Sequence, residues 1–250
     1  MRVALKNPNY MFMMLGVLFV YMTIGTNDTI SLYMATYFWE FNPFQLMIAS
    51  VSIVISIILA FLVIPRCHKW FGKKKTLLLV FICFVIFTIP TGLRLCGWYI
   101  PNHHPLLFPV FLVVVIINIM GLLGLQISAF SMIADIADEN ELETGRRQEG
   151  IFFSTRTLAS KFTTGFGHLL GGMAIDHFIL FPKGGEGMAQ IGSVAPDILW
   201  RMGLFSIVVT VVFYSLAFFF YTKYDISEAK YEKTRKKLVQ MRENNNPPGV

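Results

Sequence analysis

Charged residues are scarce in this sequence. Asp, Glu, Lys and Arg make up 14% of its 250 residues, whereas soluble domains usually carry about a quarter. Hydrophobic residues reach 55%, and the mean hydropathy is +0.60. So few polar side chains cannot cover a water-facing surface, which excludes a soluble enzyme, a disordered chain and a fibrous chain. The 24 Phe and 13 Met instead indicate a protein whose outside faces lipid.

Cysteine motifs and common enzyme motifs are also absent. The three cysteines, Cys67, Cys83 and Cys96, have no CxxC or Cys/His spacing, which argues against a disulfide framework and a zinc site. HExxH and GxSxG do not occur in the sequence. The first apolar run is too long for a signal peptide, and no small-residue cleavage site follows it. We expect no cofactor and no catalytic residues.

Six long apolar runs are present, each close to the length of about 20 residues that crosses a bilayer. They predict an all-α membrane protein, because membrane β-strands would be shorter and would alternate polar with apolar residues. We expect a six-helix transmembrane bundle over residues 1–222 and a cytoplasmic basic tail over residues 223–250. The predicted spans are residues 10–38, 44–64, 76–98, 106–129, 151–181 and 203–221.

Lysine and arginine fall mostly on one side of the predicted membrane. Sixteen of the 21 lie on that side, and three (Arg94, Lys183 and Arg201) lie on the other. The positive-inside rule therefore predicts a multi-pass protein of the cell membrane with both termini in the cytoplasm. The same asymmetry explains the net charge of +6 without a nucleic-acid partner. The basic tail is either a helix that lies on anionic membrane lipid or a solvated extension.

A polar stripe runs along the fifth predicted span. Its members recur at spacings of three and four residues, which places them on one face of a helix. At 1.5 Å per residue, Lys161 lies about 15 Å inside the span. Ionisable groups at that depth are costly and usually functional, so the stripe predicts the wall of a water-filled path. The alternative is a lysine that pairs with a carboxylate only to hold helices together. The stripe comprises Ser154, Thr157, Lys161, Thr164 and His168.

Three further polar residues lie at membrane depth. Asn27 and Asp28 interrupt the first span, where Asp28 could bind solute, form a salt bridge to Lys161, or belong to a polar-packed stretch. Gln126 lies at a depth similar to that of Lys161 and is either a path residue or an interhelical contact. Gly167 and Gly171 form a GxxxG spacing, which we expect to serve close helix packing inside the bundle.

The connection between the fourth and fifth spans is rich in charge and identifies a family. From Ala134 to Lys161 it resembles the segment between helices ten and eleven of the glycoside–pentoside–hexuronide:cation symporters, which include the melibiose permeases. These belong to the major facilitator superfamily. The segment PRCHKWFGKKKTL is similar to the basic loop between helices eight and nine of that superfamily. The matching positions are Pro65, Gly72, Lys73, Lys74, Asp135, Asp138, Glu141, Thr144, Gly145, Arg147, Glu149, Gly150 and Lys161.

This resemblance implies that the chain corresponds to helices seven to twelve of a twelve-helix transporter. It implies alternating access and sodium- or proton-coupled symport of a sugar, glycoside or uronide, with Lys161 near the solute and cation. The acidic residues that usually bind the cation would lie in an N-terminal half that this sequence lacks. Charged residues at the cytoplasmic end would form a gate: Asp135, Asp138, Glu141, Arg147 and Glu149. From the residues alone, that segment is equally compatible with a salt-bridge latch and with a solvated loop.

Two other functions are compatible with the sequence. The chain could be a half-size membrane subunit that pairs with another protein. Alternatively, Asp135 and Asp138, with Glu139 and Glu141 beside them, could bind Mg²⁺ in a membrane enzyme acting on lipid phosphates. The expected partners are therefore a small solute, membrane lipid and a second six-helix half.

Overall fold

The computed structural model of the chain describes residues 7–98, 100–146, 148–182, 191–225 and 228–245; for 228–230, 239 and 242–245 it describes the backbone alone. Helices dominate these residues, and no β-strand occurs among them. In chain order they are α1 (Pro8–Tyr33, continued by a π-helical turn Met34–Phe38), α2 (Pro43–Phe71), α3 (Lys73–Leu79), α4 (Phe81–Leu95), α5 (Leu107–Thr144), α6 (Glu149–Ala174, continued by a π-helical turn Ile175–Ile179), α7 (Pro196–Thr222) and α8 (Glu228–Asn245).

All six predicted spans form helices, which confirms the all-α membrane fold. The predicted second span ends seven residues before α2 does, and the predicted sixth span begins seven residues after α7 does. The third and fourth predicted spans differ more. The third run, 76–98, is not one continuous helix but α3 followed by α4, with the break at Val80. The fourth, 106–129, ends too early, because α5 continues through the charged segment to Thr144.

Local sequence signals explain where the helices begin and end. The Asn42 side chain and the Gln45 side chain each accept a backbone N–H from the other residue at 2.9 Å, which is a capping box at the start of α2. Pro43 occupies the first turn, where its missing N–H costs nothing. Gly72 ends α2 with φ 80°, and Gly145 ends α5 with φ 68°, so both helices stop where glycine adopts a positive φ.

Five of the described helical segments are long and apolar enough to cross a membrane: Pro8–Phe38, Pro43–Phe71, Lys73–Leu95, Leu107–Thr144 and Pro196–Thr222. The predicted fifth span corresponds to α6. At 26 residues this helix is long enough to cross a membrane, but it is less apolar than the other five segments. Arg156, Lys161 and a series of Ser, Thr and Gly lower its apolar content. A helix of this kind needs protein or water beside its polar groups.

The helices pack as one bundle with two distinct ends. α1 lies along α6 and α7, α2 lies along α5, and α4 packs between α5 and α7. The chain connections at Gly72 and Gly145 lie at one end, which we call the basic end. There the backbone N–H of Asp225 donates to Asn9 Oδ1 at 2.9 Å, which brings both termini of the bundle together. At the opposite end, Phe38, Trp39 and Phe41 form part of a second apolar cluster.

The outer surface of the bundle is strongly apolar. On α2 the side chains of Val51, Val54 and Phe61 are 60%, 57% and 67% exposed. Apolar surfaces of this extent do not occur on ordinary soluble monomers and mark contact with lipid or with another protein.

The closest helix contact joins α1 and α6, backbone to backbone. A Cβ atom on Gly167 would lie 2.5 Å from the carbonyl oxygen of Met22, and one on Gly25 would lie 2.2 Å from that of Thr164. The Thr26 hydroxyl donates to the Gly167 carbonyl at 3.1 Å. The predicted use of the GxxxG spacing, close packing inside the bundle, is confirmed at Gly167 and Gly171.

Alanine at position 167 tests this contact. We expect Gly167→Ala to lower the free energy of unfolding by about 1–3 kcal/mol, because the methyl group overpacks a backbone contact that cannot relax. The measurement is the Tm of the purified protein in detergent, followed by tryptophan fluorescence. Gly165→Ala on the same helix is the matched control, since its Cβ would meet nothing within 4 Å. Equal Tm values for the two variants would contradict the proposed packing.

Candidate functional site

A buried ion pair lies at the basic end of the bundle. Lys73, at the start of α3, donates to both carboxylate oxygens of Asp135 on α5, at 2.7 and 2.8 Å. The Asp135 side chain is 6% exposed and that of Lys73 is 26% exposed. Such geometry is well suited to a charged pair that is largely removed from water. The sequence resemblance includes both residues, but it did not predict that they pair.

The acidic segment is not a solvated loop. Asp135, Asp138 and Glu141 all lie on α5, and Asp135 and Glu141 are 5% and 8% exposed. Glu149 is half-buried at the first position of α6. The physical reason is that α5 simply continues beyond its apolar part, so its charged residues pack against neighbouring helices. Arg147, the remaining predicted gate residue, lies outside the described residues.

The tail helix α8 also packs against the bundle. Its side chains Thr234 and Leu238 are 8% and 3% exposed, and α8 contacts α5. The Lys73 ammonium group lies 4.5 Å from the centroid of the Tyr231 ring. Burial, followed by the carboxylates of Asp135 and Asp138, raises the pKa of Tyr231, so its phenol stays neutral beside the ion pair. A fully solvated tail is therefore wrong for the described part of α8.

A cavity of about 290 Å³ opens at the same end. Lys74 closes one side of it by donating to the carbonyl oxygens of Thr222 at 3.0 Å and Tyr224 at 2.5 Å. These contacts tie the α2–α3 connection to the end of α7. The cavity is lined by residues of α2, α3, α5 and the tail, among them Lys73, Lys75, Asp135 and Tyr231. The Lys73–Asp135 pair thus joins α3 to α5, and Tyr231 of α8 packs beside it.

The predicted stripe on α6 lies on the outside of the bundle. Thr157, Lys161 and His168 are exposed and Thr164 is half-buried. Ser154 is also exposed. The hydroxyls are satisfied by their own helix: Thr157 donates to the Phe153 carbonyl at 2.9 Å. Ser154 and Thr164 do the same with carbonyls of the preceding turn. Because such bonds satisfy a hydroxyl even in lipid, these three residues are weaker evidence for water than the stripe suggested.

Lys161 and His168 remain the informative members of the stripe. Within the described part of the chain, Lys161 makes no hydrogen bond or ion pair. His168 Nδ1 lies 3.0 Å from the hydroxyl of Thr29 on α1. Asp28, the neighbour of Thr29, is exposed next to this contact, and no ion pair joins Asp28 to Lys161 among the described residues. The structure therefore brings an acid, an imidazole and a lysine to one outer surface of α1 and α6.

Two other predicted path residues, Asn27 and Gln126, do not belong to this outer surface of α1 and α6. Asn27 Nδ2 donates to the Thr210 hydroxyl at 3.1 Å, so this side chain joins α1 to α7 and does not reach the stripe. Gln126 Oε1 accepts from the Tyr21 hydroxyl at 2.6 Å and from Arg156 Nη2 at 3.1 Å. It belongs to a polar junction of α1, α5 and α6.

The sequence interpretation overlooked Arg156. It is 2% exposed, and its guanidinium lies 3.7 Å from the centroid of the Phe130 ring. The rule that singled out Lys161, an ionisable group inside a predicted span, applies to Arg156 as well. Arg156 lies off the polar stripe, about 140° around the helix from Lys161 at 100° per residue, so the periodicity argument did not include it.

A metal site at the acidic segment has no support in the structure. Among the residues described, no group of three or more His, Cys, Asp or Glu side chains is arranged to hold a metal ion. The Asp135 carboxylate, the first ligand of the Mg²⁺ alternative, is already bound by Lys73.

Removing Lys73 tests the ion pair. We expect Lys73→Gln to lower the free energy of unfolding by about 1–3 kcal/mol, less than for a fully buried pair because part of the lysine is in water. The readout is the Tm in detergent at low and high salt. The matched control is Lys75→Gln, which removes an exposed lysine two residues away and should leave the Tm unchanged. An equal loss in both variants would contradict a specific pair.

Comparison with known families agrees with this architecture. The sequence model of the family described as MFS/sugar transport protein matches residues 1–228. No curated protein sequence matches the chain at a significant level. The family match spans the whole helical bundle, and it points to a transporter of small molecules and not to an enzyme. The chain therefore belongs to the MFS/sugar transport protein family and is a multi-pass membrane protein of the transporter class.

Proposed function

We propose that the chain forms one six-helix bundle of a transporter that works by alternating access. The transporter couples entry of Na⁺ or H⁺ to that of a sugar, glycoside or uronide. The observation that carries this proposal is the exposed Lys161 near the centre of α6, which pairs with none of the residues that the structure describes. It lies twelve residues after Glu149, about 18 Å along the helix axis at 1.5 Å per residue. An ammonium group at that depth would be costly against acyl chains, which supports a water-filled path beside it.

The exposed surface of α1 and α6 requires a second wall. Lys161 shares this surface with large apolar side chains such as Phe162, which is 76% exposed. Transporters of this architecture place the solute near the membrane midplane, between two bundles that rock against each other. We infer that a second six-helix bundle, from the same polypeptide or from a partner chain, faces this surface.

Coupling requires only that the cation favours the conformation that binds solute. One surface carries three ionisable side chains, those of Asp28, His168 and Lys161. The Nδ1 atom of His168 lies 3.0 Å from the Thr29 hydroxyl. These groups are placed to change partners when a cation enters. The cation itself would bind chiefly to acidic residues of the second bundle.

The basic end is our candidate for the cytoplasmic gate. Lys73 and Asp135 lie on different helices of this bundle, and their ion pair holds α3 against α5 beside the proposed gate. Asp138, Glu141, Glu149 and Arg147 complete the proposed gate on sequence grounds. The positive-inside rule places this end in the cytoplasm of the cell.

Transport by a Lys161 variant tests the proposed function. We expect Lys161→Ala to lower the initial rate of solute uptake at least about tenfold in proteoliposomes, because a charge contact to the solute or cation is lost. Sodium and pH are varied separately to identify the coupling ion. Lys161→Arg should retain part of the activity, and Arg201→Gln, at an ion pair outside the proposed path and gate, should retain all of it. Undiminished coupled uptake by Lys161→Ala at normal expression would overturn this role.

The need for a second bundle has its own test. The protein isolated from its native membrane should either have about twice the mass of this 28.4 kDa chain or retain a second six-helix chain. Coupled uptake by proteoliposomes that contain this 28.4 kDa chain alone would contradict the proposal.

A further inference from the structure

Arg156 is a buried cation at the junction of α1, α5 and α6. It is 2% exposed, and its Nη2 donates to Gln126 Oε1 at 3.1 Å. A longer contact of 3.5 Å joins Nη2 to the Tyr21 hydroxyl. Both acceptors are neutral, so the guanidinium donates hydrogen bonds to them without gaining a compensating negative charge.

The positive charge of Arg156 is not neutralised by the described part of the chain. No described carboxylate lies within ion-pair distance of its guanidinium. Its Nε is buried and makes no hydrogen bond. Burying a cation inside a membrane helix without a counter-charge is unfavourable, as is leaving one of its donors unused. An anion bound at this junction would supply the counter-charge and accept a hydrogen bond from Nε.

The unused Nε donor lies on the edge of the guanidinium that is suited to bind a carboxylate. Nε and Nη2 lie on one edge of the planar guanidinium, and this edge binds a carboxylate with two parallel hydrogen bonds. Nη2 is held by the neutral oxygen of Gln126, which also accepts from Tyr21 at 2.6 Å. Gln126 therefore occupies half of the edge and leaves Nε open. A carboxylate that displaced it would use both donors.

A partly exposed aromatic ring stacks on this guanidinium. The Phe130 ring covers the guanidinium at 3.7 Å and is itself 39% exposed. Phe130 stacks on Phe153, with 5.8 Å between ring centroids. Tyr21, at the same junction, is also partly exposed, so the junction lies close to the outside of the bundle.

We propose that Arg156 binds the carboxylate of the transported solute, with Gln126 as its neutral placeholder and Phe130 as its cover. The solute class is then an acidic one, a sugar acid in preference to a neutral sugar. This inference rests on the proposed function, because the solute path has to reach the surface formed by α1, α5 and α6. Arg156 acts as a specificity-determining residue, and Lys161 acts separately on the opposite side of α6.

The test compares matched solutes in proteoliposomes containing the protein expressed from its full reading frame. The probes are two pairs, D-glucose with D-glucuronate and D-galactose with D-galacturonate. We expect uptake of the acid to exceed that of its neutral partner at least about tenfold, which is the usual value of a charged hydrogen-bonded contact. In parallel, phenylglyoxal labels accessible arginines, and mass spectrometry reports labelling of Arg156 with and without each probe. The acids should protect Arg156, and the neutral sugars should not.

Three variants separate a binding role from a structural one. Arg156→Gln should reduce acid uptake to the level of the neutral sugar. Gln126→Glu places a fixed carboxylate beside Arg156, so it should raise the Tm while abolishing acid uptake. Gln126→Glu therefore tests carboxylate binding by Arg156 even if Arg156→Gln fails to fold. Arg201→Gln is the control, because Arg201 pairs with Asp197 at 3.2 Å on the exposed surface.

The outcomes distinguish the two proposals. Preferred uptake of neutral sugars, with no protection of Arg156 by the acids, would overturn the anion site but leave the transport proposal intact. Protection without uptake of any probe would support the anion site and contradict sugar-class transport. If none of the probes is taken up and none protects Arg156, both proposals are contradicted. Unchanged acid uptake by Gln126→Glu would overturn the anion site in every case.

Discussion

The contact between α1 and α6 is made by backbone atoms, and the placement of the polar groups depends on it. Gly25 and Gly167 let the two helices approach until only a hydrogen atom fits between them, and Thr26 bonds across the contact at 3.1 Å. α6 lacks the composition of the other membrane-length helices, so it cannot be held by lipid-facing apolar surface alone. Packing against α1 fixes its rotation. As a result Arg156 points into the bundle and Lys161 points out of it.

This rotation divides the ionisable groups between two environments. The outer surface carries Lys161, His168 and Asp28, which are accessible to water or to a facing bundle. The interior holds Arg156 among Tyr21, Gln126 and Phe130. The basic end carries a third group, where the Lys73–Asp135 pair connects α3, α5 and the tail helix.

The fold was largely predictable, since apolar runs of membrane length leave few alternatives to helices. The continuation of α5 to Thr144 was not, because hydropathy changes sign where the helix leaves the bilayer although the backbone does not change. The Lys73–Asp135 pair joins residues 62 positions apart, and a single sequence carries no signal for such a contact. Arg156 was missed for a different reason: the search for a periodic stripe favoured the exposed face, and a lone buried arginine has no periodicity. For the serine and threonine hydroxyls, only the structure shows that their own helix satisfies them.

In the proposed transporter, the outer surface of α6 faces a solute path and not lipid. The most direct measurement is labelling of single cysteines by a membrane-impermeant methanethiosulfonate in intact membranes, after Cys67, Cys83 and Cys96 are replaced. Thr157→Cys should react, and its rate should change when solute is added. Val54→Cys on α2, a site 57% exposed on an apolar face, should not react. Equal reactivity at the two positions, or no reaction at Thr157→Cys with and without solute, would contradict the account.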